Sequence, residues 1–143
     1  MELTFLGSGP DQPIPRAGHR DPVCRAARSN ARSRRNNSAA ILKQAKTLVL
    51  IDCGPTVAQQ LSSSVVKHLS ALLITHAHRD AIGGLNWLAL RRDRPLLVFA
   101  DVRTAKKIRD SAALRHIYDV TLVHPFRRFS VKQLSVLPVP VTH

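Results

Sequence analysis

Apolar positions fall along this chain in short runs broken by polar and glycine-rich punctuation, and the runs change character from one end to the other. Residues 2–6 alternate and then meet Gly7-Ser8-Gly9-Pro10, which predicts a first strand ending in a tight loop. Residues 10–37 show no period and are rich in Pro, Arg and Asn, so a long loop is expected there. Residues 38–42 and 47–51 are apolar runs separated by Lys43-Gln44-Ala45-Lys46, the pattern of a β-hairpin. The second run closes on Asp52-Cys53-Gly54-Pro55. Pro55 suits a helix's first position, which predicts a short helix over 56–61.

Residues 69–75 form an apolar run of strand length, expected to be buried on both faces. A histidine-containing turn follows, then a helix over 82–91 and a strand over 96–100. Asp101 caps a predicted helix over 102–112, with Arg103, Lys106, Lys107 and Arg109 on its wet side. Residues 121–123, 129–131 and 134–141 read as strands. Pro138 and Pro140 put the last of them at an edge or leaving the sheet. The order of elements predicts an α/β fold with a mixed sheet, and 143 residues suit a single domain spanning 1–143 with a basic loop at 10–37.

Composition adds little to this until charge is considered. An apolar share of 44% is enough for a packed core. Cys24 and Cys53 are a poor basis for a disulfide framework, so a reducing, cytoplasmic setting is expected. No segment reads as a signal peptide, and the longest apolar runs are far too short for a membrane span. Lys and Arg total 22 against 9 acids, a net charge of +13, which predicts attraction to nucleic acid, phosphorylated small molecules or an acidic partner. Arg25, Arg28, Arg32, Arg34 and Arg35 share one stretch with no acid among them. It is either a solvated basic loop or a phosphate-facing one, with Arg34 and Arg35 the candidate phosphate contacts. Aromatic residues make up only 4%, so no stacking platform for single strands is expected.

The candidate chemistry lies in Thr75-His76-Ala77-His78-Arg79-Asp80-Ala81-Ile82-Gly83-Gly84. A buried strand delivers two imidazoles two residues apart, and a carboxylate follows two residues later. Neutral imidazole suits zinc, manganese or iron(II), and the acid adds charge that holds a divalent ion. Gly83-Gly84 lets the backbone pass closely under the turn.

This segment resembles the His-x-His-x-Asp-His signature of the metallo-β-lactamase fold superfamily. Thr4-Phe5-Leu6-Gly7-Ser8-Gly9 resembles the family's first strand and glycine turn. Leu50-Ile51-Asp52-Cys53-Gly54 resembles its Asp-x-Gly turn, and Val139-Pro140-Val141-Thr142-His143 resembles a strand that delivers another histidine. Gly18 to Arg25, followed by Arg34-Arg35-Asn36-Asn37-Ser38-Ala39, resembles the phosphoribosyl cyclic phosphate phosphodiesterases, near relatives of ribonuclease Z. The resemblance implies an αββα sandwich. It implies His76, His78 and His143 as ligands of a first metal, zinc or manganese. Asp80 would take part in catalysis and belong to a second metal, and Asp52 would brace the ligand loop. Relatives have three cysteines where this chain has His19, Asp21 and Cys24, a candidate structural zinc set whose alternative is a loop with an inert cysteine.

Two departures qualify the expectation. Ala81 stands where the family has a further histidine, so one ion is expected rather than two. The resemblance also spans only about the first half of a family member, so the sandwich is expected to be incomplete. A fragment, a split gene product, an oligomer or an assembly with a completing second chain is expected. The implied function is a metal-dependent phosphodiesterase acting on a small cyclic phosphate or nucleotide ester. The alternative is a non-catalytic subunit that binds RNA or a protein partner through its basic surface.

Overall fold

The computed structural model describes residues 1–141. Its main sheet has six strands adjacent in chain order: β1 (Glu2–Gly7), β2 (Ala39–Gln44), β3 (Thr47–Ile51), β4 (Ala71–Leu73), β5 (Leu96–Ala100) and β6 (Tyr118–Leu122). The first three run antiparallel, and β3 to β6 run parallel. Parallel neighbours need crossovers, which the helices supply. α1 (Pro22–Ser29) lies in the long segment before β2. α2 (Val57–Gln60) and α3 (Ser63–His68) link β3 to β4, α4 (Arg79–Ile82) and α5 (Leu85–Ala89) link β4 to β5, and α6 (Val102–Asp110) links β5 to β6. A hairpin of β7 (Phe129–Val131) and β8 (Leu134–Val136) forms a second, two-stranded sheet.

The period of two along the strands sorts the core into two layers. Leu50, Leu72 and Val98 stand in register on the helix-covered face, packed with Val57, Val66, Leu88 and Ile108. Each such buried side chain contributes about 1.5–3 kcal/mol of transfer free energy. Val49, Ala71 and Phe99 point the other way, onto Val131 and Leu134 of the hairpin, and Phe99 stacks on Phe129 with ring centroids 4.4 Å apart. On edge strand β1, Leu3 and Phe5 remain 51% and 76% exposed. Among the described residues no helix is long and apolar enough to cross a membrane.

Residues 10–37 depart from the expected unstructured loop. The Asp21 side chain accepts the Cys24 backbone N–H at 2.9 Å, Pro22 opens the first turn, and Cys24 and Ala27 bury one face of α1. Two buried positions are too few for a readable helical period. The segment is pinned by Asn37, which is fully buried. Asn37 Nδ2 donates to the carbonyls of Pro10 and Asp11 at 2.9 and 2.8 Å, and its Oδ1 accepts from Thr56 N and Thr56 Oγ1 at 3.3 and 3.1 Å. Gln60 Nε2 donates to the Asn37 carbonyl at 2.7 Å.

The helix expected over 82–91 is broken into α4 and α5 at Gly83-Gly84. At this break Gly84 N–H donates to the Cys53 carbonyl at 2.8 Å, and a Cβ on Gly84 would overlap the Gly54 carbonyl. Likewise the final strand ends at Val136 instead of running to 141, because Pro138 and Pro140 have no N–H to give a ladder.

Candidate metal centre

The site forms where β3 and β4 end side by side. At the exit of β3, Asp52 adopts the left-handed conformation with φ +59°, and its N–H donates to the Leu73 carbonyl at 2.9 Å. A non-glycine residue there costs of order 1 kcal/mol, and the surroundings hold it in place. Its carboxylate takes both polar hydrogens of Thr75: Thr75 N–H donates to Oδ1 and Thr75 Oγ1–H to Oδ2, each at 2.8 Å. Burial raises the Asp52 pKa from its ordinary value, opposed by these two Thr75 hydrogen bonds and by His76.

Thr75 carries the effect onward. Its Oγ1 lies 2.9 Å from His76 Nδ1. The single hydroxyl hydrogen is already given to an ionised carboxylate that can only accept, so Nδ1–H must be the donor in the second contact. That sets the His76 tautomer and leaves a lone pair on Nε2, which lies 3.3 Å from Asp80 Oδ1. Two electron-rich atoms at that distance repel unless a cation or proton lies between them.

His78 completes the group. Its ring meets that of His76 edge-on, centroids 4.9 Å apart at 87°. Ligand atoms of His76, His78 and Asp80 all lie within 4.8 Å of one another, and they are the one such group among the described residues. Donors bound tetrahedrally to a zinc ion at ~2.1 Å stand roughly 3.4 Å apart. The His76–Asp80 spacing already matches, and Asp80 Oδ1 is buried with no hydrogen-bond donor on it among the described residues. The donor set of two imidazoles and a carboxylate therefore fits a divalent ion.

The turn is braced from three sides. His78 caps α4, its carbonyl accepting from Ala81 and Ile82 N–H at 3.1 Å each. Cys53 N–H donates to the Ala81 carbonyl at 2.7 Å, and Gly54 has no room for a side chain against the Asp80 carbonyl. From α6, Lys107 Nζ donates to the Ala77 carbonyl at 2.8 Å. Cys53 takes no chemical part: burial pushes its thiol up to about 12.

The other candidate residues are placed as follows. His143 lies outside the described residues. Ala81 is buried in the helix-side core, at the position of the expected extra histidine. His19 Nδ1 stands 3.9 Å from Asp21 Oδ2, while Asp21 is spent capping α1 and the buried Cys24 sulfur accepts the Arg16 N–H. The hydrogen bond from Cys24 N–H holds the Asp21 carboxyl below its ordinary pKa. Arg34 and Arg35 donate to backbone carbonyls of their own segment, at Ala27 and at Arg32 and Arg34. Sequence reasoning gave no role to Thr75, Asn37 or Lys107. Thr75 sits directly before the first histidine and Asn37 lies in the stretch that carries the family resemblance, whereas Lys107 carried no local signal.

Replacing Thr75 by valine keeps the shape and removes the link between Asp52 and His76. Zinc affinity, read by competition with a chromophoric chelator, is expected to fall roughly 10–100-fold, as for other groups that orient a metal-binding histidine. Thr75→Ser is expected to stay within about threefold, because it keeps the hydroxyl. Equal loss in both variants, or none in the valine variant, would contradict the link.

Comparison with known proteins adds to this geometry. A family model described as anti-Pycsar protein Apyc1 matches residues 26–96. A protein named octanoyltransferase from Porphyromonas gingivalis is 32% identical over the whole of this chain and 31% of its own length. A ribonuclease Z of Listeria welshimeri is 28% identical over the whole chain and 46% of its own length. Among solved structures, a diphosphatase from the PhnP family superposes with a TM-score of 0.85 at 26% identity, over 99% of this chain and 57% of that one. Zn(2+)-bound PqqB from Methylobacterium extorquens gives 0.84 at 18% identity, over 99% and 56%. The chain thus spans between about a third and just over half the length of these proteins.

Proposed function

Starting from a chain that has the metallo-β-lactamase fold, we propose that it is the metal-holding part of a phosphodiesterase acting on a small cyclic phosphate or nucleotide ester. The observation that carries this reading is the convergence of His76 Nε2 and Asp80 Oδ1 at 3.3 Å, with His78 beside them. A divalent ion held there supplies positive charge for the phosphoryl oxygens and acidity for a water. The chain's own residues do the positioning. Asp52 and Thr75 hold His76 in one tautomer, and Lys107 fixes the peptide between the two histidines. Ala81 supports one ion rather than two, zinc or manganese by the chemistry of the donors. A phosphate-bearing substrate is supported by the net charge of +13 and by the PhnP-family diphosphatase among the structural neighbours.

Hydrolysis of bis(p-nitrophenyl) phosphate with added zinc or manganese tests the reading. The expected result is metal-dependent turnover with about one ion bound per chain. A second reading, in which the basic surface binds RNA or a partner without turnover, is favoured by Ala81. It predicts salt-dependent RNA binding that survives His76→Ala and His78→Ala, and no tightly held ion. Metal content after purification separates the two.

A further inference from the structure

Beside the histidine turn lies a cavity of about 320 Å³. Ala77 and Arg79 of the turn line it, with Lys107 and Asn86 as further polar groups and Ile82 and Leu114 as apolar ones. That volume is at the small end of ligand sites, and the cavity is open to solvent, so a nucleotide-sized ligand would seat its phosphate and only part of its ring system there. Its charge is the informative feature. The acids of the elements that carry Arg79 and Lys107 are all committed elsewhere. Asp80 faces His76, Asp101 caps α6 by accepting the Thr104 N–H, and Asp110 pairs with Lys106 at 2.6 Å. The cations at Arg79 and Lys107 therefore have no compensating carboxylate in the lining. Lys107 spends one of its three donors on the Ala77 carbonyl and keeps two. The Ala77 it holds lies between the two histidines in the chain, which keeps that ammonium beside the turn.

We propose that this cavity is a binding subsite for the monophosphate of a nucleoside, with Arg79 and Lys107 on the phosphate, Asn86 on a polar edge and Ile82 and Leu114 against a ring. The proposal deepens the phosphodiesterase reading by naming where the substrate or product is held, and it rests on that reading for its meaning in turnover. Binding itself does not require turnover, so the two can fail separately.

Calorimetric titration of the full chain with AMP, as purified and after chelation, tests it at fixed salt. AMP is expected to bind in both states, with adenosine at least tenfold weaker. Arg79→Gln is expected to lose tenfold or more in AMP affinity, and the Arg79→Gln/Lys107→Met pair more than either change alone. Arg79 is an exposed residue, so Arg79→Gln is expected to leave the melting temperature unchanged and carries the test if Lys107→Met loosens the turn. Arg25→Ala on α1 is the control for general charge and is expected to leave AMP affinity as it was. No binding by the unaltered chain, no loss in Arg79→Gln, or an equal loss in Arg25→Ala would overturn the proposal. Reporter hydrolysis with AMP affinity indifferent to Arg79 removes the subsite and leaves the phosphodiesterase reading standing. Loss of AMP binding in Arg79→Gln without any hydrolysis by the unaltered chain does the reverse.

Discussion

His76→Ala is expected to lower zinc affinity by on the order of 10²–10³-fold and to abolish metal-dependent hydrolysis of the reporter. The size follows from sharing the ~10–16 kcal/mol of a four-ligand zinc site among its ligands, about 2.5–4 kcal/mol each. The informative control is the metal-free protein. His76 is half-buried and outside the packed core, and its Nε2 faces Asp80 Oδ1 at 3.3 Å. Removing the ring gives up the contact with the exposed Thr75 hydroxyl and no packed core, so the chelated variant is expected to melt within about 3 °C of the chelated parent. Zinc changes the comparison. An ion that binds only the folded chain stabilises it by about 2.7 kcal/mol at a hundredfold excess over Kd. The parent is expected to show that upward shift in melting temperature, and His76→Ala to lose most of it. A variant that melts well below the parent without zinc, or that keeps the zinc shift, would assign His76 a structural role instead.

Asn37→Ala is expected to act on stability without touching the turn directly. The amide satisfies four partners at once, two carbonyls from residues 10 and 11 and two donors from Thr56. Thr56 is buried and loses its acceptor with no water to replace it. Pro10 and Asp11 are exposed and are resolvated at less cost. At about 1–3 kcal/mol for each buried group left unsatisfied, plus the void left by the side chain, the loss is expected near 3 kcal/mol. For a chain of this length that is about 10 °C in melting temperature. Asn37→Asp is expected to be at least as damaging, since it sets a carboxylate against the two carbonyls that the amide NH₂ now serves. Thermal unfolding followed by circular dichroism decides the matter; a shift under about 3 °C would mean that the loop is held by other contacts.

The two residues differ in how visible they are from sequence, and the difference has a physical basis. Signals that act over a few residues survive in the linear order. The hairpin expected from runs at 38–42 and 47–51 forms as Ala39–Gln44 and Thr47–Ile51. The helix expected over 102–112 forms as Val102–Asp110, and the strand at 129–131 forms as Phe129–Val131. Each is written in local periodicity, a cap or a turn. The grouping of His76, His78 and Asp80 is equally local, because an extended turn followed by a helix start brings residues two and four apart to one point. Where local signals are thin, they fail. α1 has only two buried residues to show a period, and the Gly83-Gly84 break depends on the β3 exit loop, whose residues lie 30 positions earlier in the chain.

The sequence by itself determined the mixed α/β fold and the residue types gathered at the turn. Tertiary structure alone decided what those residues are held by. The parallel pairing of β3 with β4 sets Ile51 opposite Leu73, and so brings Asp52 under Thr75 across 23 positions. Packing of α6 beside the turn brings Lys107 to Ala77 across 30, and burial of Asn37 brings it to Thr56 across 19. Hydrogen bonds of this kind have no period and no spacing rule. They follow from which strands become neighbours, so the tautomer of His76 and the uncompensated charge beside the site could be read only once the sheet order was known.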